Sequence, residues 1–242
     1  MKAMVLCAGY GTRLGDLTRE IPKPMLPLGD RPMLEYILCH LKRQGWNEVA
    51  VNLHFMPEAI HNYFTDGSRW GLHLTYSHEP QLLGTAGGTK KMESFFQGSE
   101  PFLVQYGDIV TNQDFTAMLR FHQQRKALAT LLVHQRAGSN SALSVDATGC
   151  IERFLERPSE VQRSTVAQAW VFSGISICQP ELLDLIPPQT SCDFPRDVFV
   201  PLTETQRLFA FPLTGQRTAV DSPQRLAEAR RHAAQGLFST DA

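Results

Sequence analysis

The chain has 242 residues, and its 23 Lys and Arg nearly balance its 24 Asp and Glu, so the formal net charge is −1. Hydrophobic residues make up 43% and charged residues 19%, the composition of an ordinary soluble globular protein. The near-zero net charge argues against a broadly basic nucleic-acid surface and against an electrostatic membrane anchor. We therefore expect neither nucleic acid nor a membrane among the partners of this protein.

Two further features of the sequence bear on its location. The longest nearly apolar stretch, residues 127–133, is far shorter than the roughly 20 residues that a membrane span requires. The amino terminus enters a glycine turn after one short apolar run, so it is interpreted as a first strand and not as a signal peptide. The five cysteines form no CxxC pair, which predicts buried, reduced thiols and a cytoplasmic protein.

Strands and helices are predicted to alternate through the first half of the chain. The predicted strands lie at residues 3–7, 48–53, 72–76 and 102–106. The predicted helices are one that Pro32 opens and Gly45 ends, then residues 57–64, 85–96 and 114–126. This alternation is typical of a mainly parallel sheet with right-handed crossovers.

The second half has a more mixed pattern with shorter connections. Predicted strands lie at 128–134, 142–145, 151–154, 167–177, 208–211 and 218–220, with helices near 180–185, near 195–203 and from Pro223 onward. The basic residues of the last helix are interpreted as a solvated face; they are Arg225, Arg230, Arg231 and His232. Because no linker or repeat interrupts the chain, we expect one domain over residues 1–242 with a mixed, mainly parallel sheet.

A glycine loop follows the first predicted strand, in the run LCAGYGTRL at residues 6–14. Small residues after a strand allow backbone N–H groups to approach phosphate oxygens, although a plain tight turn has the same composition. The dinucleotide fingerprint fails because Leu14 occupies the position of its third glycine, and no Gly-Lys-Ser/Thr of a Walker A motif follows. These absences argue against ordinary NAD binding and against P-loop phosphotransfer.

A lysine between prolines follows the loop, in the run IPKPMLP at residues 21–27. Pro24 is predicted to keep Lys23 out of helical geometry, and the three prolines stiffen the segment. A lysine on a rigid extended segment can be aimed at a ligand, whereas the alternative is a solvated charge in a proline loop.

Short motifs with the composition of functional loops and turns then follow one another along nearly the whole chain. In order they are AGYGTRL, PKPMLPL, RPMLEY, DGSRWGLHLTYS, LGTAGG, YGDI, FLERP, FSGISI and VDSPQRL. Together they resemble the sugar-phosphate nucleotidyltransferases, also called nucleoside-diphosphate-sugar pyrophosphorylases. The resemblance implies a Rossmann-like three-layer α/β/α fold and a Mg²⁺-dependent transfer of a nucleotidyl group from an NTP to a sugar 1-phosphate, with release of pyrophosphate. It also implies a compact stand-alone domain with a nucleotide-binding half at about 1–126 and a sugar-binding half and closing helix at about 127–242.

The resemblance implies roles for residues of the nucleotide half. Since a sugar phosphate oxygen is already an anion, in-line attack on the α-phosphorus needs positioning and charge neutralisation and no general base. Backbone amides from Ala8 to Thr12 would cradle the triphosphate, Arg13 would neutralise the leaving pyrophosphate, and Lys23 would act at the reaction centre. Glu79, Gly84 and Thr85 would line the base pocket. The full implied nucleotide-binding set is Leu6, Ala8, Gly9, Gly11, Thr12, Arg13, Lys23, Glu79, Gly84 and Thr85, and the implied catalytic set is Arg13, Lys23 and Asp108.

Asp108 and Asp221 are the candidate magnesium ligands. Asp108 follows the predicted strand 102–106, at the end where ligands bind in open α/β sheets, and carboxylates suit Mg²⁺. Asp221 follows the strand at 218–220, although it could instead start the helix beside Ser222. Many family members place the second aspartate two residues earlier, where this chain has Ala219.

For the sugar phosphate, the resemblance implies Glu156, Arg157 and Gly174. Glu156 would bind hydroxyl groups and Arg157 the phosphate, where the family usually has Lys. Arg presents a planar fork and Lys a point charge, so the phosphate geometry would differ. Phe172 stands where many members have an Asn that touches the sugar.

The motifs leave the substrates and the functional class open. LGTAGG looks most like mannose-1-phosphate guanylyltransferases, which favours GTP with mannose 1-phosphate or a related sugar. The opening motifs and FSGI resemble small uridylyltransferases that act on N-acetylmuramate 1-phosphate, which favours UTP with that or another hexose 1-phosphate. Nucleotidyl transfer is the favoured functional class. A non-catalytic nucleotide-sugar sensor is the second class, but it would be expected to lack Arg13, Lys23 or Asp108, and all three are present. A metal-dependent glycosyltransferase is the third class, but it would need an Asp-x-Asp pair where this chain has one acid in Gly107-Asp108-Ile109-Val110. A homo-oligomer stays open.

Overall fold

The computed structural model describes residues 1–98, 100–136, 138–166 and 170–240. Its strands are β1 (Lys2–Leu6), β2 (Pro27–Leu28), β3 (Arg31–Pro32), β4 (Glu48–Leu53), β5 (His73–His78), β6 (Phe102–Tyr106), β7 (Ile109–Thr111), β8 (Ala129–Gln135), β9 (Ser141–Val145), β10 (Ile151–Glu156), β11 (Trp170–Cys178), β12 (Leu208–Pro212) and β13 (Arg217–Ala219). Its α-helices are α1 (Met33–Arg43), α2 (Pro57–Phe64), α3 (Gly84–Lys91), α4 (Glu93–Phe96), α5 (Phe115–Arg125), α6 (Glu160–Ser164), α7 (Val200–Leu202) and α8 (Pro223–Ala234). Within the ranges just given, no helix is both long enough and apolar enough to cross a membrane.

The chain forms two compact units whose segments alternate along the sequence. Unit 1 comprises Met1–Leu82, Val104–Asp114 and Thr214–Ala242, and unit 2 comprises Leu83–Leu103 and Phe115–Leu213. The expectation of one functional domain over residues 1–242 stays a prediction.

Unit 1 contains a parallel sheet in which β1 lies between β6 and β4, and β4 lies beside β5. The parallel register pairs Leu6 with Asn52 and continues from β4 to β5. The apolar runs of β1 and β4 are buried because both faces of such a sheet are covered. The bounds predicted for β4, α2 and β6 are confirmed without a shift.

The start, the end and the buried side chains of helix α1 follow from residues within its own sequence. Pro32 precedes the helix in extended geometry and Gly45 follows its end with a positive φ of 81°. Leu34, Ile37 and Leu38 recur at helical spacing and are at most 1% exposed. Full burial of each such side chain contributes about 1.5–3 kcal/mol, and since residues 33–41 are all buried, the helix is covered on every side.

Unit 2 contains a mixed sheet. β9 pairs antiparallel with β10 and β11, whereas β8 pairs antiparallel with β11 and parallel with β12. Its core includes fully buried aromatic rings, namely Phe96, Phe102, Phe115, Phe194 and Phe199. The predicted α/β class with a mixed sheet is confirmed, with the parallel pairs concentrated in unit 1.

Two predicted helices are interrupted in the structure. The helix expected at 85–96 breaks at Met92, whose φ of −97° and ψ of 18° separate α3 from α4. The helix expected at 195–203 is a π-helical segment (Phe194–Phe199), then α7, then a 3₁₀ turn (Thr203–Thr205). Pro201 lies inside this stretch and has no N–H, so a single α-helical hydrogen-bond ladder cannot run through it.

Three smaller expectations also need correction. The strand predicted at 167–177 begins in residues 167–169, which lie outside the described residues, and β11 continues one residue further, to Cys178. Cys150 is half-buried, whereas the other four cysteines are buried as predicted, and all five are free thiols. The last helix is not a purely solvated face, because Arg230 Nε donates to Pro27 O at 3.0 Å and His232 Nδ1 lies 3.0 Å from Thr218 Oγ1.

Candidate functional site

The glycine loop in unit 1 begins where β1 ends. Ala8 is buried, whereas Gly9, Tyr10, Thr12 and Arg13 are exposed. A 3₁₀ segment (Thr12–Thr18) follows, interrupted at Gly15. The loop therefore offers exposed backbone at the carboxyl end of a parallel strand, where open α/β sheets bind their ligands.

The loop packs directly on the segment that carries Lys23. Gly11 has a φ of 69°, and a Cβ at this position would lie 3.1 Å from Lys23 Cβ and 3.2 Å from Thr18 Cγ2. A side chain here would be strained by the backbone and crowded by both neighbours. Glycine at position 11 thus allows the loop to reach Lys23.

Lys23 lies in a helical turn, and the extended geometry predicted for it is wrong. It begins a 3₁₀ turn (Lys23–Met25) closed by Met25 N–H donating to Pro22 O at 2.8 Å. Pro24 fits because the first positions of a helical turn need no N–H donor. Lys23 is only 9% exposed, which excludes the alternative of a solvated surface charge.

Lys23 and Asp108 form an ion pair. Lys23 Nζ lies 2.5 Å from Asp108 Oδ2, with side-chain exposures of 11% and 24%. Gly107 sets this position, because its N–H donates to Leu6 O at 2.9 Å and a Cβ there would lie 2.7 Å from that oxygen. The structure therefore brings the loop, the lysine and the aspartate together.

Cys7 lies beside this ion pair. Burial is the main cause that raises the pKa of the Cys7 thiol far above its usual value, and the negative charge of Asp108 adds to the shift. The thiol therefore stays protonated at neutral pH and acts here as a small apolar side chain.

Asp221 follows the strand that pairs with the segment after Asp108. β7 and β13 pair antiparallel with Ile109 opposite Ala219, and Val220 N–H donates to Asp108 O at 2.8 Å. The start of α8 is capped by Ser222, whose Oγ accepts from Arg225 N–H at 3.3 Å, so the helix-cap role considered for Asp221 belongs to its neighbour.

The donor chemistry at this point suits magnesium. Across the described ranges no cluster of three or more His, Cys, Asp or Glu side chains could enclose a metal ion. Mg²⁺ does not need such a cluster, because it binds through one or two carboxylates together with substrate phosphate oxygens. Asp108 and Asp221 fit that requirement.

Glu79 is fully buried, at 0% exposure. Its Oε1 accepts from Asn52 Nδ2 at 2.8 Å, and its backbone carbonyl lies 2.6 Å from His54 Nδ1. Glu79 is therefore not accessible to a nucleotide base in this structure. Its carboxylate accepts from Asn52, although a direct contact with the base was expected.

In unit 2, Gly84 and Thr85 begin α3. Thr85 Oγ1 donates to Asp193 Oδ1 at 3.1 Å and accepts from Phe194 N–H at 2.9 Å, and Thr85 N–H also donates to Asp193 Oδ1. Ala86 N–H donates to Cys192 O at 2.8 Å. The amino end of α3 is thus capped from the 192–194 segment, so the Thr85 hydroxyl is engaged in holding this turn.

Unit 2 also carries the residues expected to bind the sugar phosphate. Glu156 ends β10 half-buried, and Arg157 Nε lies 3.7 Å from Glu156 Oε1 with 81% of the arginine side chain exposed. Arg157 has a φ of 45°, a left-handed conformation that is costly for a residue other than glycine. Gly174 is buried within the irregularity between Phe172 and Ser176 in β11. Arg157 is the exposed cation of this group.

Sequence reasoning missed Asn52, His54 and Asp193 as residues that hold the predicted site in place. Asn52 had a recognisable signal, because it is a polar residue in the otherwise apolar buried run of β4, near the carboxyl end of that strand. Asp193 had no local signal, since its partner Thr85 lies 108 residues away in the chain.

Known proteins share the sequence pattern of this chain over most of its length. The sequence model of the family described as Nucleotidyl transferase matches residues 2–217. The chain is 33% identical over 219 residues to the UTP–glucose-1-phosphate uridylyltransferase of Synechocystis sp., covering 85% of this chain and 56% of that protein. It is 29% identical over 229 residues to the mannose-1-phosphate guanyltransferase of Yarrowia lipolytica, covering 93% of this chain and 61% of that protein.

The chain thus spans 56% and 61% of the length of these two curated relatives. Its fold is similar to that of the UDP-glucose pyrophosphorylase from Acinetobacter baumanii, with a TM-score of 0.83 at 18% identity over 97% of this chain and 93% of that one. That likeness concerns the fold alone. Since the family model extends over most of the residues and the first of these relatives is 33% identical, the chain belongs to the Nucleotidyl transferase family.

Proposed function

We propose that this protein is a sugar-1-phosphate nucleotidyltransferase with one functional domain over residues 1–242. It transfers a nucleotidyl group from an NTP to a sugar 1-phosphate and releases pyrophosphate. The observation that carries the proposal is the 2.5 Å pair of Lys23 and Asp108 beside the exposed glycine loop. A cation and a carboxylate held together next to exposed backbone N–H groups provide the charges that a triphosphate and its metal require.

The reaction needs little more than positioning and charge neutralisation. The attacking phosphate oxygen is already an anion, so no proton has to be removed. In the proposal the loop from Ala8 to Thr12 binds phosphate oxygens through backbone N–H groups, the exposed Arg13 neutralises the leaving pyrophosphate, and Lys23 stabilises charge at the α-phosphate. Loss of one such preorganised donor typically costs a factor of about 10²–10³ in rate.

Asp108 and Asp221 would hold a magnesium ion. Bound there, Mg²⁺ would supply positive charge that offsets the charge of the phosphate oxygens. Without the ion, the Lys23 ammonium neutralises the Asp108 carboxylate. With the ion bound, the same carboxylate would face both cations, so it has a counter-charge in either state.

The sugar phosphate is assigned to unit 2. Glu156 would accept hydrogen bonds from sugar hydroxyls, and the exposed guanidinium of Arg157 would bind the phosphate through its planar fork. Gly174 would contribute backbone, and Gly84 and Thr85 would contribute to the base site through the turn that Asp193 holds. Phe172 lies edge-on to Phe199 at 5.5 Å, so an apolar ring occupies the place of a polar sugar contact.

For the nucleotide we propose GTP, with UTP as the alternative. The resemblance of residues 83–88 to the mannose-1-phosphate guanylyltransferases supports GTP, together with mannose 1-phosphate or a related sugar. The Synechocystis relative is named for UTP and glucose 1-phosphate, and its similarity supports the alternative. The proposal for the reaction class does not depend on this choice.

The test is a matrix assay of the purified protein with Mg²⁺, each NTP and a panel of sugar 1-phosphates that includes mannose, glucose and N-acetylmuramate 1-phosphates. Pyrophosphate release that depends on one nucleotide, one sugar and Mg²⁺ is the expected result. Omission of the metal with a chelator and the Asp108→Asn variant serve as negative controls.

Two negative outcomes have different meanings. Nucleotide binding without pyrophosphate release from any pair would favour the non-catalytic sensor. A lack of nucleotide binding would contradict the assignment of the glycine loop itself. The presence of Arg13, Lys23 and Asp108 together is the observation that favours the enzyme over the sensor.

A further inference from the structure

Three buried or half-buried residues of unit 1 contact the glycine loop at two points. Asn52, His54 and Glu79 are hydrogen-bonded to one another through Glu79, and we call them the loop bracket. Asn52 Nδ2 donates to Glu79 Oε1 at 2.8 Å, and His54 Nδ1 lies 2.6 Å from Glu79 O. Asn52 and Glu79 are 3% and 0% exposed, so the bond between them is shielded from water, whereas the bond from His54 is partly buried.

The first connection to the loop is made by Asn52. Its Oδ1 accepts from Cys7 N–H at 2.8 Å, in a buried bond one residue before Ala8. The orientation of the carboxamide is therefore determined at both ends, because the backbone N–H requires an oxygen and the carboxylate requires an N–H donor. Among the side chains of this size, the carboxamide of asparagine provides both an acceptor and a donor.

The second connection is made by His54. Because a carbonyl oxygen can only accept, His54 Nδ1 carries a proton and donates to Glu79 O. The other ring nitrogen, Nε2, lies 2.7 Å from the Tyr10 hydroxyl oxygen, within hydrogen-bond distance. Tyr10 also packs edge-on against the His54 ring, with 5.0 Å between centroids.

Ala8 and Gly9 lie between these two connections and belong to the segment from Ala8 to Thr12 that is assigned to phosphate binding. Gly9 has open space around it, and a loop of small residues loses much conformational entropy when it is ordered. A loop that is held in place before the ligand arrives binds more tightly, because the ordering has already taken place.

We propose that Asn52 and Glu79 are positioning residues that hold the phosphate-binding loop in its binding conformation, so that Glu79 acts on the nucleotide through Asn52 and His54 and not by touching the base. This inference rests on the proposed function for its kinetic consequences, but the connection itself concerns the loop alone. It also explains why a carboxylate at the end of a nucleotide-binding sheet is fully buried.

The test exchanges the donor and acceptor of the central bond. Asn52→Asp keeps the acceptor for Cys7 N–H but faces Glu79 with a second carboxylate, so the two side chains repel. The double variant Asn52→Asp with Glu79→Gln restores the bond with reversed polarity, because the new carboxamide at position 79 can donate to the new carboxylate at position 52. Asn62→Asp, at an exposed position of α2, is the matched control for an Asn-to-Asp change.

Two measurements are made on all variants. Amide hydrogen exchange of the 7–12 segment is expected to rise at least tenfold in Asn52→Asp and to return to within threefold of the wild-type rate in the double variant. The KM for the NTP is expected to rise at least tenfold in Asn52→Asp while the KM for the sugar 1-phosphate changes less than threefold. A general loss of folded protein would instead lower kcat and leave both KM values unchanged.

Glu79→Gln separates positioning from base contact. The carboxamide introduced at position 79 still offers an oxygen to Asn52 Nδ2, so we expect the KM for every NTP to rise by a common factor of about three. A change in the ratio between GTP and UTP would overturn the positioning role and restore the direct contact. The proposal is also overturned if the double variant exchanges as fast as Asn52→Asp, or if Asn52→Asp behaves like Asn62→Asp.

The exchange measurement keeps this inference separate from the proposed function. If the wild-type protein releases no pyrophosphate with any substrate pair, the proposed function fails, whereas the exchange rates of the four variants still support or contradict the loop bracket.

Discussion

Lys23 Nζ lies 2.5 Å from Asp108 Oδ2, although 85 residues separate the two in the chain. The contact joins a 3₁₀ turn to the residue that follows β6 and Gly107, and Gly11 packs against the same lysine from the glycine loop. Each partner compensates the charge of the other in a partly buried position, so this pair can hold both charges in place before any ligand binds.

Replacement of Asp108 is expected to remove activity and leave the fold intact. Asp108→Asn takes away the carboxylate assigned to the metal while the amide oxygen can still accept from Lys23. We expect kcat to fall by about 10³ or more and the free energy of unfolding to fall by about 1–3 kcal/mol, because the Lys23 ammonium keeps a neutral acceptor but loses its counter-charge. Pyrophosphate release at saturating Mg²⁺ and urea unfolding measure the two effects.

Asp16→Asn is the matched control, because this carboxylate is 94% exposed and lies 3.9 Å from Arg19. It should retain wild-type kcat and stability. Near-normal turnover of Asp108→Asn under the same conditions would rule out the metal assignment of this residue.

Two glycines near the site are expected to respond differently to alanine. At Gly107 a Cβ would lie 2.7 Å from both Leu6 O and Cys7 Sγ, so Gly107→Ala should lower the free energy of unfolding by roughly 1–3 kcal/mol. At Gly9 nothing lies within 4 Å of an added Cβ, so the fold should tolerate Gly9→Ala with a change below about 1 kcal/mol.

Gly9→Ala should nevertheless weaken nucleotide binding, because the added methyl occupies the surface that phosphate oxygens approach. We expect the KM for the NTP to rise about tenfold with an unchanged melting temperature. An alanine at position 9 that alters neither quantity would show that the loop does not contact the phosphates closely.

Arg157 is expected to lower the stability of the fold slightly while it contributes to binding of the sugar 1-phosphate. Its φ of 45° costs on the order of 1 kcal/mol relative to glycine, so Arg157→Gly should keep or slightly raise the free energy of unfolding. The same change removes the cation assigned to the sugar phosphate, and the KM for the sugar 1-phosphate should rise at least tenfold.

Gln189→Gly is the control for the backbone effect, since Gln189 is exposed and has a φ of 55° in the same unit. It should show a similar change in stability without any change in KM. Equal KM values for the two glycine variants would contradict the phosphate role of Arg157.

Two buried histidines are expected to make the protein sensitive to acid. Burial lowers the pKa of His40 from 6.5 to about 4, partly offset by its contact with Gln113 O, and burial likewise lowers the pKa of His122 to about 4. The unfolded chain binds these protons at higher pH than the folded chain does. Stability is therefore complete above about pH 6.5 and is lost as the pH falls toward 4, by at most about 3 kcal/mol for each histidine.

Urea unfolding between pH 4 and 7 measures this dependence. His122→Phe removes one titrating group and should flatten the curve over that window, whereas the same scan of His73→Gln, at an exposed histidine, should follow the wild-type curve. An unchanged slope in His122→Phe would contradict the contribution of this histidine.

Local patterns predict many elements well. β4, α2 and β6 have the predicted bounds because continuous apolar runs and a Pro at a helix start are signals contained in a few neighbouring residues. The helix predicted at 85–96 is too long, because it breaks at Met92 and no proline or glycine stands at that position to signal the break. The 3₁₀ turn at Lys23 escapes prediction because the proline rule describes a preference that tertiary contacts can override.

The candidate site likewise has features that the sequence predicts and features that only the folded chain shows. The order of residue types along the chain predicts a glycine loop after the first strand, a lysine between prolines and two aspartates after later strands. The resemblance to a known family then assigns them to one kind of chemistry. The pairing of Lys23 with Asp108 and the burial of Glu79 against Asn52 emerge only in the folded chain. Burial and pairing of polar groups depend on partners far apart in the sequence, and these partners meet through the packing of the sheet and not through any local pattern.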